Sequence, residues 1–163
     1  MKIHRGIVRR TLRLSPNLVR VTLGGPGITD FLTTGIGDEY VRVFFPHGED
    51  PTDVSLPVPD GDWWVTPEGA PQAPMRTYTI SGVRPEDSEL DIDFVIHVAG
   101  VAGPWAVRAQ PGHVLGLNSP TGLYSPHETV TWQVLATDLT GLPAVARIAA
   151  EVPEGIRTRI VVE

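Results

Sequence analysis

The sequence of 163 residues contains no cysteine. This absence excludes disulfides, thiolate metal sites and a cysteine nucleophile, and it fits a cytoplasmic protein. No apolar run approaches the roughly 20 residues that a membrane helix needs. The opening Met1-Lys2-Ile3-His4-Arg5 also lacks the apolar segment of a signal peptide. We therefore expect neither a membrane span nor a secretory signal.

Positive charge is scarce, since the formal net charge is −6. Broad affinity for nucleic acid is therefore not expected. The N-terminus is an exception, and its basic residues fit either a polar strand face or a local attractor for an anionic ligand. These residues are Lys2, Arg5, Arg9, Arg10 and Arg13. The five histidines lack the close spacing of a zinc site, so no metal site is predicted.

Glycine and proline are frequent, with 17 and 16 copies spread between short apolar runs. Such punctuation is typical of a β domain with many turns. The runs predict strands over residues 7–14, 18–23, 40–45, 75–81, 90–98 and 114–117. We interpret residues 46–74 as a long proline-rich excursion of the kind that forms mobile flaps. The Trp63-Trp64 pair within it would either pack down on the domain or bind a ligand.

The pattern changes near residue 128. Residues 130–136 predict a strand, residues 142–151 a helix with apolar positions at helical spacing, and residues 156–162 a second strand. This succession is one βαβ unit, which is too small for a doubly wound domain. We therefore predict a mainly β chain with a barrel domain over residues 1–127 and a partial α/β domain over residues 128–163. Its uncovered surfaces would favour a homodimer.

The segment Arg76-Thr77-Tyr78-Thr79 is the most informative in the chain. Alternation along a strand places Arg76 and Tyr78 on one face, and the two threonines on the other. A flavin needs such groups: a cation for phosphate, a flat ring to lie against, and small polar groups at the ring edge.

A glycine-rich loop follows the next strand. Gly100 and Gly103 permit close approach of the backbone, and Pro104 suits the first turn of a short helix over residues 104–110. Because proline has no N–H, the expected phosphate donors are Gly103, Trp105 and Ala106. Taken alone, a Gly/Ala loop before a short helix is more often just a turn.

Two further features have alternative interpretations. His97, at the end of the strand that precedes the loop, would be either a structural residue or a contact of the cofactor. Asp91 and Asp93 alternate on the same strand, and they would form either a solvated outer face or a dicarboxylate site.

With these residues in place, the chain resembles the siderophore-interacting proteins, which are flavin-dependent ferric-siderophore reductases within the ferredoxin-reductase-like flavoproteins. The resemblance lies in residues 37–46, 74–80, 91–97, 100–106 and 142–144. It implies an antiparallel Greek-key barrel that binds FAD, followed by an α/β domain that admits NAD(P)H. Members of the family are longer, so the resemblance also implies that the nucleotide domain is truncated at its C-terminus.

The resemblance assigns roles to particular residues. Arg76 would bind phosphate, Tyr78 would lie against the isoalloxazine ring, and Thr79 would approach its N5 edge, which places Tyr78 and Thr79 at the reacting atoms. The remaining cofactor contacts implied are Thr77, Val95, His97, Gly100, Gly103, Pro104, Trp105, Ala106 and Asp138. Ser81 stands where the family often has arginine.

The implied activity is reduction of Fe(III) in a siderophore, with electrons from NAD(P)H or ferredoxin passing through FAD. Iron is released because Fe(II) binds hard oxygen ligands poorly, and the cofactor carries the redox chemistry. The alternative is a relative without flavin or without catalysis, which binds a ferric chelate or a protein partner.

Overall fold

The computed structural model describes residues 2–61, 63–97 and 99–163. In chain order the strands are β1 (Ile3–Ser15), β2 (Leu18–Gly24), β3 (Tyr40–Phe44), β4 (Val58–Asp60), β5 (Trp63–Val65), β6 (Met75–Arg84), β7 (Glu89–Val95), β8 (Val114–Asn118), β9 (Trp132–Thr137) and β10 (Arg157–Val162). The helices are α1 (Ala102–Arg108) and α2 (Leu142–Glu151), and a short 3-10 turn spans Pro85–Asp87. Among the described residues, no helix is long and apolar enough to cross a membrane.

Six strands form a closed barrel in the order β1-β2-β7-β6-β3-β8, and every neighbouring pair is antiparallel. β3, β6 and β7 run as consecutive neighbours, and β8 returns beside β3. This is the Greek-key order, so the predicted architecture is confirmed. The predicted strand over residues 90–98 ends at Val95, and Val98 lies outside the described residues. The helix predicted over residues 104–110 begins two residues earlier, at Ala102.

Both faces of β7 carry buried residues. Leu90, Ile92 and Phe94 are fully buried in the main core, as their alternation predicts. The opposite face is also buried, so the expected solvated position of Asp91 and Asp93 is wrong. The two carboxylates are instead covered by arginines from neighbouring strands, which neutralise their charge.

The arginine–carboxylate pairs cross from strand to strand. Arg20 on β2 donates two hydrogen bonds of 2.7 and 2.8 Å to Asp93. Arg84 on β6 donates two bonds of 2.7 and 2.8 Å to Asp91, which also accepts a bond from Thr22. These forked contacts have the geometry of strong charge-assisted bonds. The pairs leave no carboxylate oxygens free for the dicarboxylate site.

The basic N-terminal residues belong to the polar strand face. Arg10 forms a forked pair with Glu89, and Lys2 pairs with Asp30. Arg5 and Arg13 donate to the backbone carbonyls of Thr52 and Pro16. Since these four side chains already have partners, the structure favours the structural interpretation over an anion attractor.

The excursion over residues 46–74 contains the β4–β5 hairpin. Trp64 packs edge-on against Phe44, with ring centroids 6.1 Å apart, and the Arg42 guanidinium lies over its ring. Trp63 is 78% exposed. The tryptophan pair is therefore divided, and Trp64 is the one that packs down on the barrel.

β9, α2 and β10 form the predicted βαβ unit, in which β9 and β10 pair in parallel. The strands begin at Trp132 and Arg157, slightly later than predicted. α2 rests on β6 of the barrel, with Val145 and Ile148 buried beneath it. The outer residues of the two strands include Trp132, which is 63% exposed. Dimerisation through this sheet stays a prediction.

Candidate functional site

The site begins where β6 and β7 separate. The two strands pair from Arg84↔Glu89 to Ile80↔Ile92, with a bulge at Ser81. The residues of β6 that precede Ile80 pair only with β3, while the end of β7 pairs only with β2. The strands thus diverge and leave a slot between them.

The slot exposes backbone polar groups of β6. Ile80 donates to the carbonyl of Glu39 and Phe45 donates to that of Pro74, which fixes the alternation of the β3–β6 ladder. The backbone groups of Thr77 and Thr79 therefore point away from β3 and into the slot. In the described part of the chain, no β7 residue is in register with either threonine. The slot is thus a place where a ligand can complete a sheet edge.

The slot widens into a cleft of about 480 Å³. The lining comes partly from predicted site residues on β6 and around the end of β7, and partly from Asp93 of β7 and from residues around the starts of β3 and α2. The first group is Arg76, Thr77, Tyr78, Thr79, Val95 and His97; the second comprises Asp38, Tyr40, Asp93, Thr140, Pro143 and Ala144. The volume lies in the range of small-molecule sites.

Tyr78 forms the flat surface of the cleft. Its ring centroid lies 4.5 Å from that of Phe94, with the rings inclined by 49°. Burial raises the pKa of the Tyr78 hydroxyl, against a smaller opposing effect of Arg76. Tyr78 is therefore a neutral ring held from behind by the core, with part of its surface open to the cleft.

Arg76 supplies an available cation at the mouth of the cleft. Its guanidinium donates 2.7 Å to the carbonyl of Met75 next to it. It forms no ion pair with any of the residues that the structure describes. An exposed guanidinium beside free backbone groups is suited to an anionic ligand.

Asp93 contributes a negative charge that is already neutralised. Besides Arg20, it accepts a 3.0 Å hydrogen bond from Ser81, the bulged residue between the paired segments of β6 and β7. The position where the family often has arginine thus holds a small hydroxyl that ties the two strands together. Asp93 consequently lines the cleft as a fixed polar group.

The glycine-rich loop differs from the expectation. A Cβ at Gly103 would lie 2.8 Å from the carbonyl oxygen of His97, so this glycine permits contact between chain segments. The Trp105 N–H donates to the Val101 carbonyl and is already used. The Trp105 N–H is therefore not available to a phosphate, whereas the phosphate contact expected from Gly103 stays a prediction. Gly100, at φ +89° with open space around its Cα, remains accessible.

Other predicted residues lie away from the first cleft. Gly100, Pro104 and Trp105 line a second cavity of about 320 Å³, together with Arg108 and His113. The Trp105 side chain is mostly in the core, where it packs against Phe45 and Phe94. Ala106 is buried in the same core and lines neither cavity.

Asp138 does not line the cleft. Its carboxylate accepts hydrogen bonds from the backbone N–H and hydroxyl of Thr140, and these bonds lower the pKa of Asp138. Thr140 itself borders the cleft. Asp138 thus holds Thr140 in place, and its predicted contact with the cofactor stays a prediction.

A family model described as the siderophore-interacting FAD-binding domain matches residues 7–124. This chain belongs to that family. The match covers the barrel except for the first four residues of β1, includes the slot between β6 and β7, and supports FAD as the cofactor.

Relatives of this siderophore-interacting domain include ferric vibriobactin reductase ViuB of Vibrio cholerae, 36% identical over 151 residues that cover 92% of this chain and 54% of the relative. The NADPH-dependent ferric-chelate reductase of Escherichia coli is 36% identical over 142 residues, which cover 86% of this chain and 53% of the relative. The structure of a siderophore utilization protein from T. fusca superimposes with a TM-score of 0.82 at 34% identity. The superposition covers 99% of this chain and 61% of that protein. This chain spans about half the length of the curated relatives it matches.

Several residues that line the cleft of this siderophore-interacting domain lie outside its sequence motifs. Tyr40 lies opposite Thr79 in the β3–β6 register, so aligning the two strands would have found it. Pro143 and Ala144 lie in a segment that carries the family resemblance, yet only the docking of α2 brings them to the cleft. No local pattern marks Thr140.

Proposed function

We propose that this chain is the flavin domain of a ferric-siderophore reductase. The observation that carries the proposal is the divergence of β6 and β7, which opens the backbone of Thr77 and Thr79 beside a supported aromatic ring. The family match and the reductase names of two relatives support it.

The isoalloxazine of FAD would enter the slot and lie against Tyr78. Its polar edge would meet the backbone and hydroxyl groups of Thr77 and Thr79, where a ring with several acceptors and one N–H finds matching partners. The cleft would fit the isoalloxazine because the Tyr78 ring offers an apolar surface that packs on Phe94, and because the polar groups of Thr77 and Thr79 stand along one edge.

The phosphates would lie toward Arg76 and His97. Arg76 offers forked donors and a positive charge, and the exposed His97 lies on the same cleft. The adenosine half would extend past the loop at Gly100 toward the second cavity, where Arg108 adds a further positive charge. Two cavities on either side of one loop suit a dinucleotide better than a mononucleotide.

FAD, when bound, would supply acceptance of a hydride and release of single electrons. This chain would bind and orient it, and shield one face of the ring through Tyr78. A ferric siderophore would approach the exposed side of the cleft as the electron acceptor. The donor would be NAD(P)H or ferredoxin, bound in part by residues beyond those on the barrel.

The test is a titration of the purified chain with FAD, monitored through the quenching of flavin fluorescence and the visible absorption spectrum. We expect saturation at one equivalent and a resolved flavin absorption band. An Arg76→Met variant should bind FAD more weakly than the parent does, because it loses a phosphate partner but keeps the ring surface. Equal affinity of parent and variant for riboflavin is the matched control.

Reduction of ferric iron is tested separately. Chemically reduced, FAD-loaded chain is mixed with a ferric catecholate, and Fe(II) is trapped with a chromogenic chelator. Failure to take up FAD would overturn the proposal and favour a flavin-free binding module. Uptake of FAD without electron transfer to iron would leave a flavin domain with a different acceptor.

A further inference from the structure

We propose that the pair of the buried Glu39 and the partly buried Arg147 is a positioning joint, which holds α2 on the barrel so that the residues of α2 that line the cleft stay in place. Neither residue lines the cleft. The joint is a property of the fold, but its effect on flavin binding rests on the proposed function.

Glu39 is fully buried and immediately precedes β3. Its carboxylate accepts bonds from the Thr33 hydroxyl at 2.6 Å, from the Thr34 N–H at 2.7 Å and from the Thr34 hydroxyl at 2.8 Å. The fourth bond, at 2.8 Å, comes from Arg147 on α2. Burial alone would raise the pKa of Glu39, but these bonds together lower it. A charge kept in the interior by four donors marks a fixed point between the two parts of the chain.

Arg147 reaches two strands of the barrel at once. The same nitrogen that contacts Glu39 also lies 3.1 Å from the carbonyl oxygen of Ile80. Ile80 is paired with Ile92 at the point where β6 and β7 diverge. The guanidinium of α2 is therefore fixed at the closed end of the slot, on the residue that follows Thr79.

The residues beside Glu39 reinforce the joint. A Cβ at Gly37 would lie 2.9 Å from both the Cγ1 and the backbone nitrogen of Ile148, so α2 sits directly on this glycine. Asp38 accepts hydrogen bonds of 2.9 Å from the backbone N–H groups of Leu123 and Tyr124, in the segment that leads to β9. The segment Gly37-Asp38-Glu39 thus binds α2 and the connection before it.

The consequence for the cleft follows from the position of α2. Pro143 and Ala144, in its first turn, line the cleft together with residues of β6, and Thr140 lies just before them. These residues share no hydrogen bond with the barrel wall that they face in the described part of the chain. Their distance from Thr79 therefore depends on the joint one turn further along the helix.

The first experiment measures the joint without any flavin. Because the chain has no cysteine, Glu86→Cys and Ala150→Cys accept two nitroxide labels at exposed positions on the barrel and on α2. Pulsed electron resonance should give a narrow distance distribution in the parent and a broader or shifted one after Arg147→Met. Arg159→Met, which removes an exposed arginine from β10, is the control and should leave the distribution unchanged. An unchanged distribution in Arg147→Met overturns the proposal.

The second experiment separates positioning from stability. Arg147→Met leaves the buried charge of Glu39 without its cation, so the urea midpoint should fall and the FAD dissociation constant should rise about tenfold. Adding Glu39→Gln removes the unpaired charge, so the midpoint should recover while FAD binding stays weak. Arg147→Lys keeps the charge and should restore part of the affinity.

The outcomes are distinct for the two proposals. If FAD affinity recovers together with the urea midpoint in the double variant, the pair is merely structural and the positioning role is wrong. If the parent chain takes up no FAD at all, the proposed function fails, but the label distances still decide whether the joint holds α2.

Discussion

Removing the ring of Tyr78 tests the proposed flavin site most directly. One part of the ring packs on Phe94, at 4.5 Å between centroids, and another part lines the cleft. Tyr78→Ala therefore removes two contacts at once, with the core and with the ligand. Loss of the aromatic pair should lower the free energy of unfolding by about 1 kcal/mol beyond the buried area.

The effect on FAD follows from the stacking surface. Aromatic stacking of a flat heterocycle contributes about 1–3 kcal/mol when measured by alanine substitution. Tyr78→Ala should therefore raise the FAD dissociation constant by about 5- to 150-fold. Tyr78→Phe keeps the ring, and because burial raises the pKa of the Tyr78 hydroxyl, it removes no charge at neutral pH. We expect the Phe variant to bind FAD within about threefold of the parent.

The assay is quenching of FAD fluorescence, with urea unfolding measured on the same preparations. An alanine variant that binds FAD as tightly as the parent would refute the stacking role. A phenylalanine variant as weak as the alanine variant would also refute it, since the hydroxyl and not the ring would then be the contact. Riboflavin titrations show whether the loss lies at the ring or at the phosphates.

Three further predictions concern the frame around the site. Gly103→Ala should cost about 1–3 kcal/mol of stability and weaken FAD binding, because its Cβ would meet the His97 backbone at 2.8 Å. Arg84→Met should cost about 2 kcal/mol, since it leaves the buried carboxylate of Asp91 without its cation. Burial would raise the pKa of Glu39 and Asp91, but their hydrogen bonds lower both below the ordinary 4.5 and 3.8. The stability that these two ionised carboxylates contribute should therefore be fully present above about pH 5. It should be lost as the pH falls through their lowered pKa values.

Urea unfolding checks all three. Gly82→Ala is the control for Gly103, because its Cβ would come no closer than 3.4 Å to any atom, and it should have a smaller effect. Adding Asp91→Asn to Arg84→Met should recover part of the lost stability. A free energy of unfolding that stays constant below about pH 4 would contradict the carboxylate prediction.

Local patterns were sufficient for the strands but not for their partners. The alternation of Leu90, Ile92 and Phe94 predicts a buried face, and the structure confirms it. The same alternation assigned Asp91 and Asp93 to solvent, because the arginines that cover them lie on other strands. Arg20 is 73 positions away from Asp93, so no window of sequence contains the pair.

The site was predictable only as far as it follows one strand. Arg76 to Thr79 form a continuous segment, and the structure places all four on one cleft. The alternation places them on two faces, but the divergence of β6 and β7 brings both faces to the same opening. That divergence depends on the bulge at Ser81 and on the register with β7, and neither is encoded in residue type. The Trp105 N–H is unavailable for a local reason: it bonds to the Val101 carbonyl, four residues earlier, because α1 begins at Ala102 and not at Pro104.

The seam between β1 and β8 has a consequence for how the chain folds. It pairs Ile3 with Asn118, and the backbone of Lys2 contacts Ser119 across 117 positions. Closing such a long loop is slow, whereas β6 and β7 are joined by a short turn and can pair early. During synthesis we expect the β6–β7 hairpin to form first and the barrel to stay open until β8 has emerged. The ligand slot would then gain its final shape only in the last step of folding.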